Sequence, residues 1–187
     1  MNEEDKLLVE NYLNGDESAL EKLINKYFSL IYNYISRLIS KDEADDLVQD
    51  VFVRVWKNIK KIDFNKASFK TWIFAIARNA TVDYFRKKKS IPFSSLDRDG
   101  EPFSETIVDE SLLIEQDILK TEDLNVLNKA LNKIDEKYRE ILILYYQEDM
   151  TFKEIGQLLN KPLNTVKSYH YRAILKLRDF LQDMHQN

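Results

Sequence analysis

Apolar and polar positions alternate along most of this chain with the period of a helix, and the stripes are long enough to set boundaries. A short helix over 4–14 ends near Gly15. Asp16 is placed to cap a second helix running to about Ile39, with Leu20, Leu23, Ile24, Tyr27, Ile31, Ile35 and Leu38 on one side. After the Ser40-Lys41-Asp42 turn, Ala44, Leu47, Val48, Val51, Phe52, Val55, Trp56 and Ile59 form the cleanest stripe and predict a helix from about Glu43 to Lys61. Its outward side starts acidic (Asp45, Asp46, Gln49, Asp50) and ends basic (Arg54, Lys57, Lys60, Lys61), the order that complements the helix dipole. Val53 is apolar among these polar neighbours and hints at a contact surface. The period breaks over Ile62 to Ala67, which predicts a loop. Ser68 can then cap a long helix to about Lys89. Phe69, Trp72, Ile73, Ile76, Ala80 and Tyr84 are expected on its buried side, and Lys70, Phe74, Arg78, Asn79 and Arg86 elsewhere.

From Ser90 to about Glu115 the pattern dissolves into a stretch rich in Pro, Ser, Asp and Gly, so 90–123 is expected to be an acidic linker, with 111–125 partly helical. Helical spacing returns over about 125–133 and 136–147, the latter burying Tyr138, Ile141, Leu142 and Tyr145. The stretch Thr151 to Arg178 then predicts two helices around a tight turn. Thr151 and Glu154 form a capping box. Gly156 allows close packing of a second helix, Asn160 tolerates the left-handed conformation that ends a helix, and Pro162 suits the first turn of the next. Val166, Ala173 and Leu177 give the second helix a buried side, while Thr165, Lys167, Ser168, Tyr169 and Arg172 are expected mostly on other faces. This is a helix-turn-helix pattern, whose second helix can enter a DNA major groove. The bland alternative is an ordinary helical hairpin.

Composition sharpens this to an all-α chain of two small helical domains, 1–89 and 124–187, joined by a flexible linker. With 187 residues, 3 Gly and 3 Pro, there is little punctuation for a strand-rich fold. The absence of cysteine excludes disulfides and thiol chemistry. No apolar run approaches a membrane span and the N-terminus does not read as a signal peptide, so a cytoplasmic protein without stable membrane insertion is expected. No P-loop, Gly-rich nucleotide fingerprint or metal-ligand cluster is present, so neither cofactor nor catalytic residues are expected.

Net charge is −4, which by itself argues against a nucleic-acid partner. Its distribution argues the other way: residues 1–89 are net +2, 90–125 net −8 and 126–187 net +2. Between Lys60 and Lys89 there are 9 Lys and Arg against 2 acids, interleaved with Phe64, Phe69, Trp72, Phe74, Tyr84 and Phe85. Cations for phosphates beside flat rings for unstacked bases is what single-stranded nucleic acid needs. Phe69 and Trp72 are read as core; Phe64, in the loop, is read as available for a base.

Three blocks in register, DDLVQDVFVRVW, FKTWIFAIARNATVDYFRKK and YREILILYYQEDMTFKEIGQLLNKPLNTVKSYHYRAILKLR, resemble the small two-domain bacterial sigma factors of the extracytoplasmic-function (ECF) group. The resemblance covers nearly the whole chain, the linker being its least specific part. It implies a factor that binds core RNA polymerase, recognises and melts promoters, and directs initiation. Asp46, Gln49, Asp50 and Val53 would dock on the β′ clamp helices, with the β flap as a further polymerase contact. Phe64, Asn65 and Lys66 in the loop, then Lys70, Arg78, Asn79 and Arg86, would read the minus-ten element as promoter DNA opens. Thr165, Lys167, Ser168, Tyr169, Tyr171 and Arg172 would bind the minus-thirty-five duplex. The linker would run through the polymerase toward the RNA exit path, and an anti-sigma factor is an implied partner. Melting costs roughly 1–2 kcal/mol per base-pair step, part of which trapped bases can offset. Three positions depart from the family pattern. His170 stands where an apolar residue is usual and is read as a hydrogen-bonded core histidine, with a tilt toward DNA as the alternative. Asn160 replaces a turn glycine, and Asp135 replaces a proline and can cap. Two rivals remain at this point: a stand-alone helix-turn-helix regulator of duplex DNA, and a helical adaptor with no nucleic-acid role.

Overall fold

The computed structural model describes residues 3–89 and 124–185, and among these every regular element is helical. The expected linker, 90–123, lies outside the described residues. The chain divides into two units.

The first unit holds α1 (Glu3–Leu13), α2 (Glu17–Ser36), α3 (Lys41–Asn58) with a 3-10 turn at Ile59–Lys61, and α4 (Phe69–Lys89). Gly15 ends α1 at φ +103°, a conformation open to glycine. Asp16 caps α2 through the Ser18 amide at 3.0 Å, and the Ser68 hydroxyl accepts from the Thr71 amide at 3.1 Å to start α4. α1 packs on α2, α2 on α3 and α4, and α3 on α4. The core between them is Leu23, Ile31, Tyr34 and Ile35 of α2, Val48, Val51 and Val55 of α3, and Phe69, Ile73, Phe74 and Ala77 of α4. α1 is tied down by a polar latch. The buried Asp5 carboxylate accepts from Tyr27 Oη at 2.6 Å and Lys26 Nζ at 2.7 Å. Two donors meet the burial cost of that charge. At the far end Lys88 Nζ reaches Glu43 of α3 at 2.6 Å, closing α4 onto the start of α3.

Phe74 and Trp56 depart most from expectation, while Trp72, Ile76 and Tyr84, expected on the buried side of α4, are half-buried. Phe74 is fully buried, edge-on to Tyr34 at 5.3 Å between ring centres. Because α4 packs on α2 and α3 together, its buried arc is wider than a single stripe suggests. Trp56, expected in the core, is 56% exposed. At 100° per residue it sits about 80° round α3 from Val48, on the shoulder of the buried arc.

The second unit holds α5 (Leu124–Lys133), α6 (Glu136–Leu142), a widened π turn at Ile143–Gln147, α7 (Phe152–Leu159) and α8 (Leu163–His185). The expected helix over 136–147 thus closes with a looser turn, the Glu148 amide donating to the Ile143 carbonyl five residues back at 3.2 Å. Asp135 stands at the N-cap of α6 without a side-chain capping bond; its carboxylate lies 3.6 Å from Lys176 of α8. Both α5 and α6 pack on α8. Among the described residues no helix is long and apolar enough to cross a membrane.

Candidate nucleic-acid and partner interfaces

On α3, Asp46, Gln49, Asp50 and Val53 recur at helical spacing and share one outward face. Asp46 and Gln49 are exposed, Asp50 is half-buried and Val53 is 44% exposed. The acidic face has an aromatic shoulder that periodicity did not isolate. Going round α3 from the core, Phe52 and Trp56 come first, then Gln49, Val53, Asp46 and Asp50. Phe52 stacks on Phe28 of α2 with ring centres 5.9 Å apart, and Phe28 stacks in turn on Tyr32 at 6.4 Å. Phe28 is 47% exposed. Its signal in the sequence was weak but present: it is an aromatic one residue beyond the buried Tyr27, outside the arc of Leu23, Tyr27 and Ile31. Trp56 also lines an open groove of about 380 Å³, together with Tyr12, Leu20, Ile24, Glu17 and Glu21. Large apolar side chains held at a surface beside carboxylates are the composition of a docking site.

The loop before α4 is organised by Asp63, a residue the sequence did not single out. Its carboxylate accepts from the Asn65 amide at 3.0 Å, and its carbonyl accepts from the amides of Lys66 at 3.0 Å and Ala67 at 3.2 Å. The Asn65 amide holds the Asp63 carboxyl below the usual carboxylate range. Phe64 is half-buried at the tip of this turn, with Asn65 and Lys66 exposed beside it. On α4, Asn79 and Arg86 are exposed and share a face two turns apart; Arg78 is half-buried on the adjoining side. Lys70, in the first turn and half-buried, lies nearly opposite Asn79 and Arg86 around the helix but only about 80° from Arg78, which stands between them.

The helix-turn-helix is built as its sequence reads. The Thr151 amide donates to Glu154 Oε2 at 2.9 Å and the Glu154 amide to Thr151 Oγ1 at 3.3 Å, the reciprocal capping box. Asn160 adopts φ +52°, and the Lys161 amide donates back to the Gly156 carbonyl at 2.9 Å, closing α7 as a Schellman turn. Pro162 stands just before the first residue of α8, and its carbonyl accepts from the Val166 amide at 3.1 Å.

On α8, Thr165, Lys167, Tyr171 and Arg172 are half-buried with part of each side chain reaching solvent. Tyr169 is not on an outward face. It is 3% exposed and meets Tyr138 of α6 edge-on at 5.8 Å, with the ammonium groups of Lys137 and Lys161 5.7 and 5.6 Å from its ring centre. The cause is angular: Tyr169 stands three residues from the buried Val166, only about 60° round the helix from it. Ser168 falls between Tyr171 and Arg172 on the helix circumference, yet is 7% exposed in this structure. His170 is a core residue. Its Nε2 is 3.2 Å from Tyr146 Oη, and the rings of Tyr145, Tyr146 and Phe152 surround it at 4.8, 5.6 and 5.0 Å. Burial pushes its pKa down to about 4, so it is neutral at pH 7.

Comparison with known proteins places these two units. Residues 23–91 match the family model of sigma-70 region 2, and residues 124–177 that of sigma-70 region 4. The ECF RNA polymerase sigma factor SigW of Bacillus subtilis is 32% identical over 185 residues, covering 96% of this chain and 97% of that protein. The ECF RNA polymerase sigma factor SigM of the same organism is 29% identical, over 86% of this chain and 93% of its own. Among solved structures, CnrH, in complex with the cytosolic domain of CnrY, superposes with a TM-score of 0.68 at 22% identity, over 96% of this chain and 98% of its own. RpoE from Bartonella quintana, in complex with the anti-sigma factor NepR, gives 0.65 at 23%, over 87% and 96%. Both structural likenesses are of fold.

Proposed function

The chain belongs to the ECF group of RNA polymerase sigma factors, and from that membership we infer how its two units divide the work. It is a sigma factor that binds core RNA polymerase and directs promoter recognition, promoter melting and transcription initiation. The observation that carries this reading is the presence, in order in one chain, of both sigma-70 regions. Each brings a surface of the chemistry its task needs.

The face of α3 made by Asp46, Gln49, Asp50 and Val53, extended by Trp56, Phe52 and Phe28, takes the polymerase. Carboxylates steer a basic partner and the aromatic shoulder supplies apolar area. Phe64, Asn65 and Lys66 on the Asp63-ordered turn, with Lys70, Arg78, Asn79 and Arg86 of α4, take the opened minus-ten strand, Arg78 standing between Lys70 and the Asn79–Arg86 face. On α8, Thr165, Lys167, Tyr171 and Arg172 read the minus-thirty-five duplex, with Ser168 between them and Tyr169 holding the helix from behind. Such a factor makes and breaks no bond; its effect is to trade binding energy for DNA opening. It works in the cytoplasm, where the polymerase is, and an anti-sigma factor is a partner of the kind that accompanies the structural neighbours.

The test is reconstitution. Purified chain added to core polymerase should co-elute with it, and the pair should initiate from promoters selected out of random DNA that core alone ignores. A stand-alone regulator would instead bind a palindromic duplex without polymerase. Failure to bind core at low salt would sink the reading.

A further inference from the structure

Four charged side chains form a continuous ion chain across the surface of the first unit. Arg54 Nη2 lies 2.8 Å from Asp50 Oδ2, Arg54 Nη1 lies 3.3 Å from Asp83 Oδ2, and Arg86 Nη2 lies 3.1 Å from Asp83 Oδ1. Its ends belong to different surfaces: Asp50 to the face assigned to polymerase, Arg86 to the face assigned to the opened strand. The inner pair, Arg54 on α3 and Asp83 on α4, belongs to neither. Each inner group is divided between two partners. Arg54 shares its fork between two carboxylates, and Asp83 offers one oxygen to each of two guanidinium groups.

We propose that Asp83 is a positioning residue that holds Arg86 back in the free protein and yields it to DNA when polymerase occupies Asp50. The proposal rests on the functional reading above. A cationic group of the polymerase that engages Asp50 leaves Arg54 with a single carboxylate. Arg54 then turns its whole fork on Asp83, the bidentate geometry guanidinium favours. The charge on Asp83 is neutralised from the α3 side and its hold on Arg86 weakens. Arg86, with its side chain 66% exposed, is free to swing to a phosphate. Pairs this exposed are individually weak, so the device biases Arg86 and does not lock it; an effect of about two- to fivefold in DNA affinity is expected.

The experiment titrates a fluorescent, mixed-sequence single-stranded oligonucleotide with the full chain at low salt. It compares Asp83→Asn, Asp50→Asn and Asp46→Asn, each alone and combined with Arg86→Ala, and measures core-polymerase affinity for the wild type and Asp83→Asn. Asp46→Asn makes the same charge change on the same face of α3 outside the ion chain, and so corrects for bulk electrostatics. Asp83→Asn and Asp50→Asn should each tighten DNA binding about two- to fivefold beyond Asp46→Asn. Both gains should vanish with Arg86→Ala, while Asp83→Asn binds core polymerase as the wild type does. A merely structural role for Asp83 would not produce a gain that depends on Arg86. Equal effects of Asp50→Asn and Asp46→Asn, a gain that survives Arg86→Ala, or no gain from Asp83→Asn would each overturn the inference. Wild-type protein that fails to bind core polymerase overturns the functional reading instead, and takes the trigger on Asp50 with it.

Discussion

Gly156 and Lys161 approach so closely that a β-carbon on the glycine would lie 2.9 Å from the Lys161 carbonyl oxygen. The same two residues are joined by the amide of Lys161 donating to the carbonyl of Gly156. The turn of the helix-turn-helix is therefore pinned to the helix it leaves, and the missing side chain is what permits it. Gly156→Ala gains helix propensity worth about 1 kcal/mol but forces a β-carbon against the Lys161 carbonyl, a strain of about 1–3 kcal/mol. The expected result is net destabilisation of the second unit and weaker binding to a minus-thirty-five duplex. Thermal unfolding of the variant checks it; a raised Tm would show that the turn relaxes freely.

His170 predicts a pH dependence. Its folded pKa, about 4, lies below its ordinary value of 6.5, because burial disfavours the imidazolium. The unfolded chain therefore takes up a proton first as pH falls, so the contribution of this site is fully present above pH 6.5 and is lost as pH drops toward 4. The loss should amount to about 3 kcal/mol at most. His170→Phe should flatten this part of the stability profile. Urea midpoints at pH 7 and pH 5 for both proteins give the comparison, and an equal loss in both would remove His170 as the cause.

The α3 face should separate binding from stability. Trp56 is 56% exposed, so Trp56→Ala removes little from the core, with an expected stability change within about 0.5 kcal/mol. Core-polymerase affinity should fall about tenfold or more if Trp56 anchors the interface. Phe28→Ala should act in the same direction, through loss of the stacked Phe52 as well as its own contact. Calorimetric melting beside a polymerase-binding titration separates the two effects; unchanged affinity would confine the interface to the acidic side of the helix.

How much of this was legible in the sequence depended on what each residue answers to. Local devices were: Asp16, Ser68, the Thr151–Glu154 box and the left-handed Asn160 act on their own few residues of backbone, and each stands in the structure as its pattern implied. Side chains at the margin of a stripe were not. Phe74 and Trp56 sit at positions whose burial is decided by where the neighbouring helices lie: α3 and α4 each pack on two others, yet Phe74 meets Tyr34 of α2 while the shoulder of α3 at Trp56 is left open. Asp63 was missed because its role is to accept from backbone amides, which composition does not report. The Asp50–Arg54–Asp83–Arg86 chain joins residues up to 36 positions apart, and only packing of α3 on α4 brings its halves together.

Tyr169 and Lys167 lie two residues apart on α8 and should fail in different ways. Tyr169 is buried against Tyr138 under two lysine ammonium groups, so Tyr169→Ala leaves a cavity beneath the helix and should cost about 3–5 kcal/mol. Its DNA binding should be lost together with the fold, and Tyr169→Phe, which keeps the ring, should restore most of both. Lys167 is half-buried, about 100° round α8 from Val166 at the edge of the buried arc, so Lys167→Ala should leave the melting temperature within a few degrees of wild type. If its ammonium meets a phosphate, duplex affinity should fall and the slope of log K against log salt should drop by about 1. Circular-dichroism melts beside salt-dependent duplex titrations of the three variants distinguish the roles. A stable Tyr169→Ala protein with specifically impaired promoter binding would return Tyr169 to the DNA face and overturn its assignment as the support behind α8.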